Sequence, residues 1–277
     1  MIMNKDFSYK TIMKYTVLIV LAAFFLFPVL WVALSSLKPQ HELFQMPQTI
    51  FPRQWTIDNY QFSFSQSNFL LNLKNSSIVS VSSTILAVLI NTMAGYALSK
   101  FIFPGRDAIF TIMIATLMIP LQVIMVPIFL QLKSLGMLNT LWGIIIPPAA
   151  TPTGIFLARQ YMTTLPNSMI EAARIDGASE GYLFYKIILP LSKPIVATLT
   201  IFSFMWRWND YLWPLIVITN NQKQTLQQAL AGFVGQLQIN WSSLLAMTTI
   251  SMIPVVMVFL VFQRYFMTGI SAGSVKG

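Results

Sequence analysis

The chain has 277 residues, 56% of them hydrophobic and only 9% charged, with a formal net charge of +9. That is too little charge to coat a soluble globule, where charged residues make up about 25%, and the apolar residues fall in blocks of about 20, the length of a membrane-spanning helix. The basic residues are scattered at block ends without a dense or aromatic-interleaved cluster, which excludes nucleic acid as a partner, and the absence of cysteine excludes disulfides and thiolate metal sites. An all-α polytopic membrane protein is expected, one domain over 1–277 with six transmembrane helices. No tandem repeat or second soluble domain interrupts it, and the lone histidine, His41, lies in a polar loop with no metal site around it.

Lys5, Lys10 and Lys14 precede the first span, 15–34, whose charge-free run is longer than the roughly 7–15 residues of a signal-peptide core. It reads as an uncleaved helix entering from the cytoplasm. Residues 38–72 form a polar, proline-bearing external loop. The second span, 75–99, repeats small or polar residues on one face: Ser76, Ser80, Thr84, Ala87, Asn91 and Gly95. Such a face serves either close helix packing or the lining of a polar path. Lys100 and Arg106 mark the cytoplasmic turn that follows. The third span, 108–132, holds Pro120 and Pro127, and the fourth, 141–158, holds Pro147, Pro148 and Pro152. Each proline removes a backbone donor, so both helices must bend.

Residues 159–193 mix charge with apolar side chains. Ser168 and Glu171 have capping-box spacing, Gly177 supplies an easy helix exit, and a second helical run, 179–189, should close before Pro190. Ile170, Ile175, Leu183, Phe184 and Ile187 are more apolar surface than a loop in water needs, so a soluble partner is expected to cover them. The fifth span, 195–219, contains Arg207 and Asp210 among eleven Leu, Ile, Phe and Val residues. Each central charge costs about 2.5–3.5 kcal/mol and each large apolar residue returns about 0.3–0.6, so this helix does not stand alone in lipid. Three residues apart, the two charges can neutralise each other, facing a wet cavity or another subunit. Residues 220–243 should be external, with a short helix over Thr225–Phe233. The last span, 244–262, should bend at Pro254. Of the seventeen Lys and Arg, eleven fall in segments read as cytoplasmic and five in external ones, which places both termini inside.

Glu171-Ala172-Ala173, Asp176-Gly177-Ala178 and Leu189-Pro190, with Pro190 thirteen residues beyond Gly177, resemble the coupling loop of binding-protein-dependent ABC importer permeases. The tripeptide alone occurs in any helix, but the extended pattern between spans four and five is specific. Without the resemblance, the same stretch reads as an amphipathic loop lying on headgroups. Gln54–Tyr60, Phe156–Tyr161, Trp208–Leu215, Thr225–Phe233 and the tail from Gln263 resemble the carbohydrate-uptake branch, the maltose-permease-like second subunit; Arg207 departs from its pattern.

The resemblance implies a type I ABC importer permease-like fold in the bacterial cytoplasmic (inner) membrane. It implies a sugar substrate and three kinds of partner: a second homologous permease subunit, two copies of a cytoplasmic ABC ATPase, and an extracytoplasmic sugar-binding protein. Glu171, Ala172, Ala173, Asp176, Gly177 and Ala178 would couple to the ATPase. Leu226, Ala229, Gly232 and Phe233 would contact the binding protein. Arg207, Asn209 and Asp210 would line the sugar path or make an intersubunit polar contact. The chain itself is not expected to be an enzyme or to hold a cofactor: a P-loop needs Gly-Lys before Ser or Thr, and no Gly-Lys occurs. The rival from another class is a proton- or sodium-driven secondary carrier relaying through Arg207 and Asp210. An intramembrane enzyme ranks behind both, for want of paired catalytic residues.

Overall fold

The computed structural model describes residues 9–66, 68–234 and 239–274, and every regular element among them is helical. They form two compact units, Met1–Asn68 with Gly232–Met252 and Phe69–Ala231 with Ile253–Gly277.

In the first unit, α1 (Tyr9–Ser35) runs unbroken through Pro28, and none of its apolar window is buried. A helix apolar on every side belongs among lipid chains or against another protein. Beyond it, α2 (Gln40–Leu43) and α3 (Asp58–Gln66) belong to a clasp built on buried polar groups. The Glu42 carboxylate accepts the backbone N–H groups of Arg53 at 2.8 Å and Gln54 at 3.2 Å. Lys38 donates to the Thr49 carbonyl and lies over the Trp31 ring. Asn59 donates to the carbonyls of Ser36 and Lys38, both at 2.8 Å, and the Tyr60 and Ser36 hydroxyls pair at 2.6 Å. The motif at Gln54–Tyr60 therefore closes a structured loop.

The Arg53 amide, helped by Gln54 and Lys38, holds the Glu42 carboxyl below the ordinary glutamate range. A carboxyl depressed in the fold stabilises the clasp above its unfolded value of about 4.3 and stops doing so as pH falls through the lower folded value. Amide exchange at Arg53 and Gln54, corrected for intrinsic rate, is expected to be slow at neutral pH and to speed up only in that acid window. Glu42→Gln should remove the pH dependence; equal protection at both pH values in the native chain would refute the clasp.

The second unit is packed around α4 (Phe69–Lys100). In chain order follow α5 (Arg106–Ala115) with a 3-10 turn at Thr116–Met118, α6 (Leu121–Ser134), α7 (Trp142–Ile145) with a 3-10 turn at Pro147–Ala149, and α8 (Pro152–Met162). Next come α9 (Asn167–Ile175), α10 (Glu180–Tyr182), a π-helical turn at Leu183–Ile188, α11 (Leu189–Leu191), α12 (Lys193–Trp208) and α13 (Leu212–Val217). A 3-10 turn at Asn221–Lys223 leads to α14 (Leu226–Val234) and α15 (Trp241–Ser274), which contribute residues to both units.

Helices α8 and α12 pack on α4. Ser76, Ser80, Thr84, Ala87, Asn91 and Gly95 are all buried within the chain, so the small face of α4 serves packing. A Cβ on Gly95 would lie 2.5 Å from the Ala158 Cβ and 2.8 Å from the Arg159 nitrogen. Asn91 and Thr151 bond reciprocally, side chain to hydroxyl and backbone N–H to side chain, each at 3.0 Å. Two apolar clusters gather at different heights along α4. One joins Val79 to Met125, Ile144, Trp213 and Val217; the other joins Tyr96 to Met162, Ile170, Leu183 and Ile188. At 1.5 Å per residue, Val79 and Tyr96 are about 25 Å apart along the axis, close to the depth of a hydrocarbon core.

Among the described residues, three helices are long and apolar enough to cross a membrane singly: Thr11–Ser35, Phe69–Lys100 and Trp241–Tyr265. The expected third span is a bent pair, Arg106–Met118 and Leu121–Ser134, turning 105°. Pro120 sits at that break with extended backbone, whereas Pro127 is carried inside α6. The expected fourth span, 141–158, is not one helix: Pro147, Pro148 and Pro152 divide it into α7, the 3-10 turn and α8. The fifth stops at Trp208 instead of reaching 219, and α12 is bent by 81° from Glu180–Leu191 before it. Nor does the run before it close ahead of Pro190, because the π-helical turn widens the backbone where the proline ring would meet the preceding carbonyl, and the break falls at Ser192. Helix α15 continues through Pro254 and past 262 to Ser274, so the expected tail is largely helical; 275–277 lie outside the described residues.

Candidate functional site

Helix α9 carries Glu171, Ala172 and Ala173, and Asp176, Gly177 and Ala178 form its exit. The expected capping box is absent. Pro166, with extended backbone, precedes the first helical residue and no side chain caps the start, which leaves Ser168 and Glu171 inside the helix. A serine cap does occur in the next element, where Ser179 accepts the Tyr182 N–H at 3.3 Å. The exit matches expectation: Gly177 has φ +81°, its N–H reaches the Arg174 carbonyl and the Ala178 N–H reaches the Ala173 carbonyl, both at 3.0 Å. That pair of bonds is the Schellman closure, which favours glycine at the left-handed position.

Glu171, Ala172, Asp176 and Gly177 are exposed, while Ala173 and Ala178 are half-buried against the Tyr96 cluster. Of the apolar residues expected to await a partner, Ile170, Leu183 and Phe184 are buried within the chain and Ile187 is half-buried. Ile175 remains 86% exposed. The free face is thus smaller than expected and centres on Glu171, Ile175 and the glycine exit.

What sequence reasoning missed is how this segment is fastened. Lys100, at the end of α4, donates to the Leu165 carbonyl at 2.6 Å and to the Asn167 side chain at 2.8 Å. Arg174 pairs with Glu180 at 2.8 Å, and Glu180 also accepts the Tyr96 hydroxyl at 3.0 Å. Arg159, at the end of α8, donates to the Leu98 carbonyl at 3.2 Å, meets Asp107 at 3.5 Å and covers the Phe110 ring. The sequence signal for these basic residues is their position at span ends, which by itself speaks only for membrane topology.

The second candidate cluster is not gathered on one helical face. Helix α12 ends at Trp208, so Asp210 leaves the helical face that would set it beside Arg207. Among the described residues no ion pair joins the two. Arg207 instead donates to the Pro148 carbonyl at 2.9 Å, a backbone group in the proline-broken stretch, while its Nε is buried without a partner. Asp210 accepts the Trp213 N–H, in the first turn of α13, at 3.3 Å. Asn209 is exposed and donates to the Met205 carbonyl at 2.9 Å.

The third candidate, α14, is a helix as expected. Leu226 is fully buried and its N–H donates to the Ser76 hydroxyl at 2.7 Å, so it anchors the helix on α4. Gly232 is exposed, and Ala229 and Phe233 are half-buried. The loop before it is clamped by Asn75, which donates to the carbonyls of Gln222 and Gln224 at 3.0 Å. Among the described residues no group of acids and histidines could hold a metal ion.

Comparison with known proteins places this geometry. Residues 91–271 match the family model of the binding-protein-dependent transport system inner membrane component. The chain is 36% identical to the arabinooligosaccharides transport system permease protein AraQ of Halalkalibacterium halodurans, covering 91% of each chain. It is 34% identical to the diacetylchitobiose uptake system permease protein NgcG of Streptomyces coelicolor, over 95% of this chain and 88% of that one. In three dimensions it superposes with TM-score 0.82 and 26% identity on a chain of a bacterial ABC transporter involved in the import of the acidic polysaccharide alginate, covering 96% of this chain and 99% of that one. With the family assigned, the secondary-carrier and intramembrane-enzyme readings fall. The chain belongs to the binding-protein-dependent transport system inner membrane components: it is a multi-pass permease subunit of an ABC transporter in the inner membrane, and the ATPase is a separate subunit.

Proposed function

We propose that this chain is one half of the translocation path of a carbohydrate importer, crossing the membrane six times with both termini in the cytoplasm. Broken stretches such as 106–134 and 142–162 count as spans because backbone freed by proline is tolerated at membrane depth where protein or a wet cavity covers it. A second, homologous permease completes the path, two copies of a cytoplasmic ATPase drive it, and an external sugar-binding protein delivers the substrate. Relatives whose names specify arabinooligosaccharides and diacetylchitobiose support an oligosaccharide as cargo.

One observation carries the reading. Helix α9 presents an exposed Glu171–Gly177 face ended by a glycine exit, while its other side is fastened to the chain. That face would dock in a cleft on the ATPase, whose ATP-driven closure would rock the spans between inward- and outward-facing states. Gly232 and Phe233 on α14 would meet the binding protein, with Ala229 beside them and Leu226 serving as their anchor. Arg207, Asn209 and Asp210 would lie at the path or at the contact with the other permease, as breaks in spanning helices commonly do.

The chain has no cysteine, so a single introduced thiol reports unambiguously. Ile175→Cys is expected to resist a membrane-impermeant maleimide in intact cells, to react with it in inside-out vesicles, and to cross-link to the ATPase. Labelling from outside intact cells would sink the docking reading and the topology together.

A further inference from the structure

We infer that Glu180 is a positioning residue that locks α9 to α4, so that movement imposed on the docking helix is delivered to the helix around which the second unit is packed. The inference rests on the docking reading above and adds to it the route by which force leaves the docking face.

Glu180 is the one carboxylate in this segment that joins two elements. Its Oε1 takes Arg174 Nε of α9 at 2.8 Å and its Oε2 takes the Tyr96 hydroxyl of α4 at 3.0 Å. Tyr96 is 5% exposed and wedged between aromatic rings, edge-on to Phe101 at 5.3 Å and tilted against Phe184 at 5.7 Å. Arg174 lies over the same Phe101 ring at 5.4 Å. The ion pair is half-exposed and weak by itself, whereas a buried hydroxyl donating to a charged acceptor is the stronger contact. Glu180 is therefore held chiefly by α4 and holds Arg174 in turn. The start of α9 is tied to the same final turn of α4, through Lys100 to the Leu165 carbonyl and to Asn167.

A helix fastened at both ends to one neighbour moves with it as a body. Removing the Glu180 tie leaves the apolar seat intact, because Ile170 and Ala173 still pack on the Tyr96 and Leu183 cluster. The helix then stays folded and docked but is free to swivel, and the stroke is lost between α9 and α4. Coupling between two sites requires such a shared element, and its free energy is the quantity at stake.

The test uses the whole transporter in proteoliposomes, with ATPase, partner permease and binding protein, read by sugar uptake, ATP hydrolysis and cross-linking from Ile175→Cys. With Glu180→Gln, ATP hydrolysis should continue and the cross-link persist, while sugar imported per ATP falls on the order of tenfold, about 1.4 kcal/mol. Tyr96→Phe keeps the ring packing and removes only the hydroxyl, so it should show the same loss if Glu180→Gln fails to accumulate. The swap Arg174→Glu with Glu180→Arg retains the attraction and leaves the Tyr96 oxygen an acceptor, and it should restore most of the ratio. Unchanged import per ATP in both single variants overturns the lock. Loss of the cross-link in Glu180→Gln also overturns it, because the residue would then act on docking itself. Absence of the cross-link when position 180 is native defeats the docking reading, and the lock with it.

Discussion

A Gly177→Val chain is expected to assemble in the membrane and to fail in transport, with uptake and binding-protein-stimulated ATP hydrolysis lost together. Gly177 holds φ +81°, and nothing lies within 4 Å of where its Cβ would stand. The penalty is therefore in the backbone and not in a collision. A non-glycine residue held in that region costs about 1–3 kcal/mol, most for a β-branched side chain. The chain escapes the cost by unwinding, which releases the bonds from Gly177 to Arg174 and from Ala178 to Ala173. With them goes the last turn of α9, which carries Ile175 and Asp176 on the proposed docking face. A series separates this cause from side-chain bulk. Gly177→Asn, which tolerates the left-handed region, should keep more transport than Gly177→Ala, and valine should keep least. If alanine outperforms asparagine, volume at the docking surface is deciding and the backbone account is wrong.

The glycine exit was legible in the sequence because a helix end with a left-handed residue leaves a local mark, whatever surrounds it. The start of the same helix was not. Ser168 and Glu171 have the spacing of a capping box, but Pro166 brings the chain in extended and starts the helix one residue before Ser168. The uninterrupted apolar runs expected at 15–34 and 75–99 lie within the long apolar helices Thr11–Ser35 and Phe69–Lys100, because length and hydropathy mark such runs in the sequence itself. The proline-bearing spans were expected to bend, yet which proline breaks the helix depends on tertiary support. Pro120 stands at a 105° break, while Pro28, Pro127 and Pro254 are carried inside helices.

Charge was the least legible feature. Spacing places Arg207 and Asp210 on one helical face only if the helix continues, and it ends at Trp208. Arg207 then finds its partner in the Pro148 carbonyl, 59 positions away, in a stretch whose own backbone bonding is interrupted by prolines. Similarly, Lys100 and Arg159 bias the topology and also bond main-chain carbonyls of Leu165 and Leu98. No local pattern announces a lysine that serves a carbonyl far along the chain. The polar face of α4 was visible from its spacing, and its burial within the chain decides between the two uses that spacing allowed.

That face carries the second large effect. Gly95→Leu should strip most of the folded, assembled protein from the membrane. A Cβ there would stand 2.5 Å from the Ala158 Cβ and 2.8 Å from the Arg159 nitrogen. The nitrogen is backbone, so no rotamer change relieves it and α8 itself must retreat. Overpacking of this kind costs about 1–3 kcal/mol, and more where the obstacle cannot give. Retreat of α8 also strains the reciprocal Asn91–Thr151 pair and the bond from Arg159 to Leu98. Interhelical bonds in lipid are worth about 0.6 kcal/mol each on average, so close packing is the larger share of the loss. Thermal unfolding in detergent should therefore rank Gly95→Leu below Gly95→Ala, and Gly95→Ala below the native chain. Adding Ala158→Gly to Gly95→Ala removes the Cβ–Cβ collision but leaves the Arg159 nitrogen in place, so rescue should be partial. Gly181→Ala is the control, since nothing lies within 4 Å of that position, and it should melt with the native chain. Full rescue of Gly95→Ala by Ala158→Gly would show that the side chains alone set the approach of α4 and α8, and that the backbone contact is not limiting.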